Sequence, residues 1–318
     1  MTAYIMRRLI QASMVIILVT GIVFLLMRLL PGDPILMYMT QEYSTRITPE
    51  QLAAARHEFG VDKPIYVQYV NWVWGLLHGD LGKSILTKQP VAHIIGSALP
   101  ISVYLGSLAF IVSLIMAIPI GIICAVRRGK WTDTVLTVFA NIGITAPSFW
   151  VGIILIYLFG LWLGWLPTHG FTSPFDDFWL SIQQLIMPVL CLMVFPLSGT
   201  VRQTRSSMLE VIRQDYIRTA WSKGLSERVV IFRHALKNGI IPVVTLTGMG
   251  VGMIFGGQVL IEAIFSIPGM GKLAVDALFN RDYAIVQGVV LLMSIVVVLA
   301  NLLVDISYKW LDPRVTYG

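Results

Sequence analysis

The chain has 318 residues, of which 56% are hydrophobic and only 13% are charged, where soluble domains carry roughly 25% charge. With a mean hydropathy of +0.78, this composition excludes a disordered chain, a collagen-like repeat and a soluble enzyme of ordinary make-up. The formal charge is +6 and the pI near 9.4, a balance that fits nucleic acid, anionic lipid or membrane topology until the basic residues are placed along the chain.

Six mostly apolar runs reach the roughly 20 residues that cross about 30 Å of hydrocarbon. They lie at 9–27, 89–126 (apolar from about 99), 134–163, 180–201, 238–261 and 283–304. Arg7 and Arg8 precede the first run as they would a secretory signal. That run exceeds the roughly 7–15 residues of a signal core, and Leu30-Pro31-Gly32 is not a small-x-small cleavage site, so a retained span is expected. The loop after the second run holds Arg127, Arg128 and Lys130, and 164–179 holds no Lys or Arg. The stretch 202–238 holds Arg202, Arg205, Arg213, Arg218, Lys223, Arg228, Arg233 and Lys237. Short loops rich in Lys and Arg face the cytoplasm, so both termini are expected inside and 31–98 outside. The expected fold is an all-α integral membrane protein with six transmembrane helices. It divides into an N-terminus and first helix (1–30), an ordered extracytoplasmic loop region (31–98) and a five-helix core (99–318) that includes the cytoplasmic loop 202–238.

Taken in chain order, the 31–98 region contains two helices. Thr48-Pro49-Glu50-Gln51 offers a cap, a first-turn proline and a Gln in the capping-box position, and Gly60 a stop, which predicts a helix over 49–59. A second is predicted over 64–77, rich in Tyr66, Tyr69, Trp72 and Trp74, the ring types favoured at membrane interfaces. The pair forms either a plain ordered cap or a docking surface for a substrate-delivering partner. In the third run, Asn141, Thr145 and Ser148 fall at i, i+4 and i+7, a polar stripe suited to lining a passage or to interhelical hydrogen bonding. Pro119, Pro147, Pro188 and Pro196 interrupt spans as kinks that membranes tolerate. Cys124 and Cys191 sit in apolar runs and read as buried small hydrophobes. In the fifth run Gly248, Gly252 and Gly256 share one helix face, a small-xxx-small pattern for close packing within the subunit or against a second one. No span centre carries an ionisable residue, since Glu262 and Asp305 fall at span ends. Proton relays and voltage sensors use such groups, so energy is expected to enter from elsewhere. Ion-coupled secondary transport through backbone carbonyls at broken helices is the alternative from another class.

The most informative segment is the basic loop. Asp215 is positioned to cap a helix whose Tyr216, Ile217, Ala220 and Trp221 form an apolar face, with Arg218, Thr219, Ser222 and Lys223 opposite and Gly224 placed to end it in a left-handed turn. Ser226 is positioned to cap a second, basic helix running to about Asn238, and Pro242 to start the next span. Such a helix suits either a groove in another protein or the surface of anionic lipid.

The segment Asp215-Tyr216-Ile217-Arg218-Thr219-Ala220, with Trp221, Lys223-Gly224-Leu225, His234-Ala235, Asn238 and Pro242, resembles the cytoplasmic "EAA" loop of ATP-binding-cassette importer permeases in its dipeptide and oligopeptide form. Further signatures of that branch run along most of the chain. They include Leu30-Pro31-Gly32-Asp33-Pro34, Phe59-Gly60-Val61-Asp62-Lys63-Pro64, Gly79-Asp80-Leu81-Gly82-Lys83-Ser84, Gly164-Trp165-Leu166-Pro167, Phe265-Ser266-Ile267-Pro268-Gly269, Arg281-Asp282-Tyr283 and Asp312-Pro313-Arg314. The resemblance implies a type I importer permease in the bacterial inner membrane that moves peptides. It implies pairing with a second, homologous permease, two ATPase subunits that bind ATP and Mg, and an extracytoplasmic substrate-binding protein, while this chain itself binds no cofactor, metal or nucleic acid and catalyses nothing. Nickel, glutathione or another small solute is the alternative cargo of the same machinery. The Glu-Ala-Ala of the wider family is replaced here by Arg218, Thr219 and Ala220, so no role for that carboxylate carries over.

Three partial motifs fail on their own terms. Gly82-Lys83-Ser84 ends like a phosphate-binding loop, but the required earlier Gly is Leu77. His57-Glu58 lacks the second zinc-binding His, whose position is Val61, and Gly224-Leu225-Ser226 lacks the closing Gly of a nucleophile elbow, which is Arg228.

Overall fold

The computed structural model describes residues 2–29, 35–36, 39–40 and 48–311; within it, the side-chain surroundings of 2–5, 249–257 and 303–311 lie outside the described residues. The described residues are mostly helical, with turns, irregular connections such as 163–177 and an isolated bridge between Lys83 and Pro90. In chain order the helices are α1 (Thr2–Leu29), α2 (Pro49–Glu58), α3 (Ile65–Leu77), α4 (Val91–Val126), α5 (Trp131–Thr145) and α6 (Ser148–Leu155, continuing as a π-helix over Ile156–Trp162). They are followed by α7 (Phe178–Ile212), α8 (Asp215–Ser222), α9 (Glu227–Gly239, with a π segment at Val230–Ala235), α10 (Ile241–Ile264), α11 (Met270–Phe279) and α12 (Tyr283–Leu311). Among the described residues, four helices are by themselves long and apolar enough to cross a membrane, and the number rises to six when each of two bent pairs is counted as one span.

One of those pairs departs from the expected continuous third span. α5 and α6 meet at a bend of 107°. Pro147 has no N–H to donate and pushes the residue before it out of the helical region, and Ala146 accordingly stands at ψ 123. Pro188 and Pro196, by contrast, lie inside an unbroken α7. The second pair bends by 45° between α9 and α10, where Pro242 occupies the first turn of α10.

The chain groups into two compact units. The first joins Met1–Ser102 to Pro268–Val298, so residues from both halves of the chain share it. Its main apolar cluster contains Met27, Val91, Ile95, Ala98, Met270, Ala277 and Val289. A smaller one holds Ile35, Met39 and Ile85 with Leu52, Ala55 and Phe59 of the α2 region. The expected capping box is formed: Gln51 N donates to Thr48 Oγ1 at 3.3 Å, and Thr48 N donates to Gln51 Oε1 at 3.1 Å. Ser84, from the failed phosphate-loop motif, is instead buried and donates to Asp282 Oδ2 at 2.5 Å. Two signatures 198 residues apart thus meet in one buried hydrogen bond.

The second unit comprises Val103–Ile267 and Leu299–Gly318. Here α5 and α10 pack on α7, and Ala117, Ala140 and Val201 form a tight cluster. Close helix approach in this unit rests on Gly121, where a Cβ would stand 2.5 Å from Thr204 Cβ and 2.9 Å from the Val201 carbonyl. The glycines singled out in the sequence lie on α10, but the surroundings of Gly252 and Gly256 fall outside the described residues, and Gly248 is half-buried.

Candidate coupling loop and adjoining cavity

The α8 helix occupies the expected place, with two local corrections. Gln214, not Asp215, is the N-cap and makes no side-chain cap bond; Asp215 is the first helical residue, where its negative charge favours the positive helix end. Ser226 likewise sits at the N-cap position of α9 without donating or accepting a capping bond. The C-terminal end behaves as read: Gly224 has φ 75° and its N–H closes the turn onto the Trp221 carbonyl at 2.9 Å. No atom lies within 4 Å of where a Gly224 Cβ would stand, so the backbone conformation alone selects glycine there.

The apolar face of α8 splits in two. Ile217 and Ala220 are buried in a cluster with Ile122 and Ala125 of α4, Met208 of α7, and Val230, Ile231 and Ala235 of α9. Tyr216 and Trp221 remain 43% and 45% exposed. At about 100° per residue the four side chains span an arc of about 140°, and the two buried ones occupy its centre. Burying Ile217 contributes about 1.5–3 kcal/mol, which fixes α8 to the ends of two long helices. Tyr216 is held at one margin, where its Oη accepts from Asn238 Nδ2 at 2.8 Å. The opposite face, Arg218, Thr219, Ser222 and Lys223, is exposed as expected, as is Leu225 beyond the Gly224 turn. Thr219 and Ser222 turn their hydroxyls back to the carbonyls of Asp215 and Arg218.

A second fastening was not legible in the sequence. Asp133, at the start of α5, accepts from Arg205 Nε and Nη2, both at 2.8 Å, and also from Gly129 N at 3.0 Å and Thr137 Oγ1 at 3.2 Å. Both partners lie beyond the apolar runs 134–163 and 180–201, on the side of the basic loops. The Arg205 guanidinium holds the Asp133 carboxyl down at about 2, with the Gly129 and Thr137 donors helping and burial opposing. Such a bidentate pair fixes both distance and orientation between α5 and the extension of α7 that leads into α8. No local pattern joins the two, because 72 positions separate them.

Above this region, still within the second unit, lies a cavity of about 660 Å³ at the α5–α6 break. Thr145, Pro147 and Ser148 line it, together with Pro196 of α7 and Thr247 of α10. The predicted polar stripe is therefore not one helical face: the bend separates Ser148 from Asn141 and Thr145, and Asn141 is exposed away from the lining. Thr145 spends its hydroxyl on the Ile142 carbonyl at 3.1 Å.

Comparison with known proteins identifies the family and the fold. Residues 117–317 match the family of binding-protein-dependent transport system inner membrane components, and residues 1–106 match the N-terminal family of such membrane components. A putative peptide transport system permease protein of Brucella abortus is 43% identical over 318 residues, covering 100% of both chains. An oligopeptide transport system permease protein of Bacillus subtilis is 38% identical over 320 residues, again covering 100% of both. A di/tripeptide transport system permease protein of Pseudomonas aeruginosa is 39% identical, over 94% of each chain. Among solved structures, the inward-facing methionine ABC transporter aligns with a TM-score of 0.57 at 14% identity, over 69% of this chain and 96% of that one, a likeness of fold. The chain is a multi-pass inner-membrane protein with the type I permease fold, and it belongs to the binding-protein-dependent transport family as the permease subunit of an ATP-binding-cassette importer.

Proposed function

We propose that this permease is one of a homologous pair that carries peptides across the inner membrane. The observation that carries the reading is the full-length identity, 36–43%, to permeases named for peptide, dipeptide and oligopeptide transport. In this reading both termini and the basic loops face the cytoplasm, and 31–98 faces outward toward a substrate-binding protein. Two ATPase subunits, which bind the ATP and Mg, sit beneath the basic loop; this chain binds no cofactor. The loop residues Asp215, Tyr216, Ile217, Arg218, Thr219, Ala220, Trp221, Lys223, Gly224 and Leu225 form the coupling element, with the charged face and the exposed rings of Tyr216 and Trp221 available to the ATPase. Its buried base, Ile217 and Ala220, makes α8 move together with the ends of α4 and α7. Passage runs between the two permeases, with Thr145 and Ser148 at its edge beside the α5–α6 break, and Gly248, Gly252 and Gly256 serve close packing of α10.

The test replaces Gly224 with Val in the assembled complex. A β-branched residue at φ 75° carries a strain of about 1–3 kcal/mol, which reshapes the turn without a clash inside the chain. Uptake and substrate-stimulated ATP hydrolysis are expected to fall together while the complex still assembles. Normal levels of both overturn the coupling role.

A further inference from the structure

We propose that α3 is an interfacial membrane helix whose exposed stripe, Tyr66, Val70, Trp74 and Leu77, lies in phospholipid beside the C-terminal end of α1. The sequence of α3, IYVQYVNWVWGLL, contains no charged residue in 13, and no α3 residue is buried. Its stripe residues stand at i, i+4, i+8 and i+11, on one face, and are 61–76% exposed. The neighbouring α2, PEQLAAARHE, is built for water: four of its ten residues are Glu, Arg or His.

Depth comes from what the other face of α3 touches. Tyr69 Oη lies 3.4 Å from Thr20 Oγ1, and the Tyr69 and Trp72 rings pack on Phe24 with centroids 5.2 and 5.9 Å away. Arg28 Nε donates to Gln68 Oε1 at 2.8 Å. Thr20 to Arg28 covers about 12 Å of helix rise, all of it in the last third of α1. α1 is itself a span, with Leu18, Ile22, Leu25, Leu26 and Leu29 directed outward at the same levels. A helix strapped to this stretch shares its depth, so its free face meets the same solvent. The guanidinium of Arg28, stacked 4.7 Å over Phe24 and 5.1 Å over Tyr283, marks where a charged head reaches the polar edge of the bilayer. Tyr66 and Trp74 supply the amphipathic rings that populate that edge. In water the stripe would form an exposed apolar patch; in lipid it continues the surface of α1. The orientation proposed above names the leaflet as the outer one, but the inference itself requires only that α1 crosses.

Spin labels at Val70→Cys and Leu77→Cys, with Glu58→Cys on α2 as the aqueous reference, test this in the complete transporter reconstituted in phosphatidylethanolamine/phosphatidylglycerol vesicles. Cys124 and Cys191 are buried and are replaced by Ala in this background. Relaxation by oxygen is expected to exceed relaxation by a water-soluble nickel chelate several-fold at 70 and 77, and the reverse at 58. Nickel-chelate access at 70 and 77 equal to that at 58 overturns the proposal, as does shielding that appears only when the substrate-binding protein is added. If the labelled variants do not assemble, brominated phospholipid serves with Trp74→Phe: the bromine-quenched share of tryptophan emission should drop, and an unchanged share overturns the proposal. Transport activity enters neither readout, so a failed cargo assignment leaves this inference standing.

Discussion

α8 and α3 are both short helices set against the ends of long ones, and they solve the problem of the second face in opposite ways. α8 buries Ile217 and Ala220 and leaves a charged face in water. α3 buries no residue fully and carries no charge, and its free face is apolar. The difference shows that exposure alone does not identify a surface: half-exposed Trp221 stands one turn from the charge of Arg218, whereas exposed Trp74 stands one turn from Val70 and Leu77. What separates them is the chemistry of the flanking positions and the depth of the helix each one leans on.

The largest expected effect tests whether the α8 region is a rigid body. Asp133→Ala leaves Arg205 without its bidentate partner; removing one member of a buried pair costs about 3–5 kcal/mol, and the partial exposure of Arg205 favours the lower end. Thermal unfolding of the purified complex reads the loss, and the exchanged pair Asp133→Arg with Arg205→Asp should recover part of it. The same contact sets a pH dependence. Its folded value of about 2 lies below the ordinary carboxylate value of about 3.9, so its stabilisation is present above about pH 4 and is lost as pH falls toward 2. Asp133→Asn should flatten that part of the stability profile.

Next, Ile217→Ala should cost about 2–4 kcal/mol by opening a cavity under α8. Because the change is local, hydrogen exchange over 215–239 should accelerate while α3 is unaffected. Acceleration in both helices would mean that the two regions do not behave independently. Trp74→Ala should leave stability in detergent within about 0.5 kcal/mol, as exposed positions do, and unfolding midpoints measure it; a larger loss would show that α3 leans on protein, not on lipid.

Much of this organisation is written locally, and the exceptions share a cause. The capping box at Thr48 and Gln51 and the left-handed turn at Gly224 depend on residues within a few positions of one another, and the structure contains both. The family signature Gly82-Lys83-Ser84 was visible, but its purpose was not, because Asp282 is brought to Ser84 only by folding. Asp133 and Arg205 were hidden for the same reason. The polar stripe Asn141, Thr145 and Ser148 failed where a local rule was available: Pro147 lies between the last two, and its effect on Ala146 breaks the helix before Ser148. In α8 the limit is angular. Four apolar residues at i, i+1, i+4 and i+5 cover too wide an arc for one contact, so the two at the margins stay outside.

The smallest effect comes from a matched pair of hydroxyl deletions, and it bears most directly on the contrast between the helices. Tyr216 Oη accepts a 2.8 Å hydrogen bond from Asn238, in the last turn of α9, whereas Tyr69 Oη stands 3.4 Å from Thr20 on α1. Tyr216→Phe removes an acceptor at an exposed site, where Asn238 can turn to water, and should cost about 0.5 kcal/mol, the low end for a net hydrogen bond. Tyr69→Phe removes a long contact and should change stability still less, since Thr20 Oγ1 already donates to the Ile17 carbonyl at 2.9 Å. Function should separate what stability barely resolves. The Tyr216 bond joins α8 to the helix that leads into α10, so its loss should lower the ratio of transport to ATP hydrolysis. Loss of the Tyr69 hydroxyl should leave that ratio unchanged, because the Phe24 stacking that holds α3 on α1 survives in phenylalanine. Equal effects of the two substitutions on the coupling ratio would show that α8 has no privileged connection to the spans.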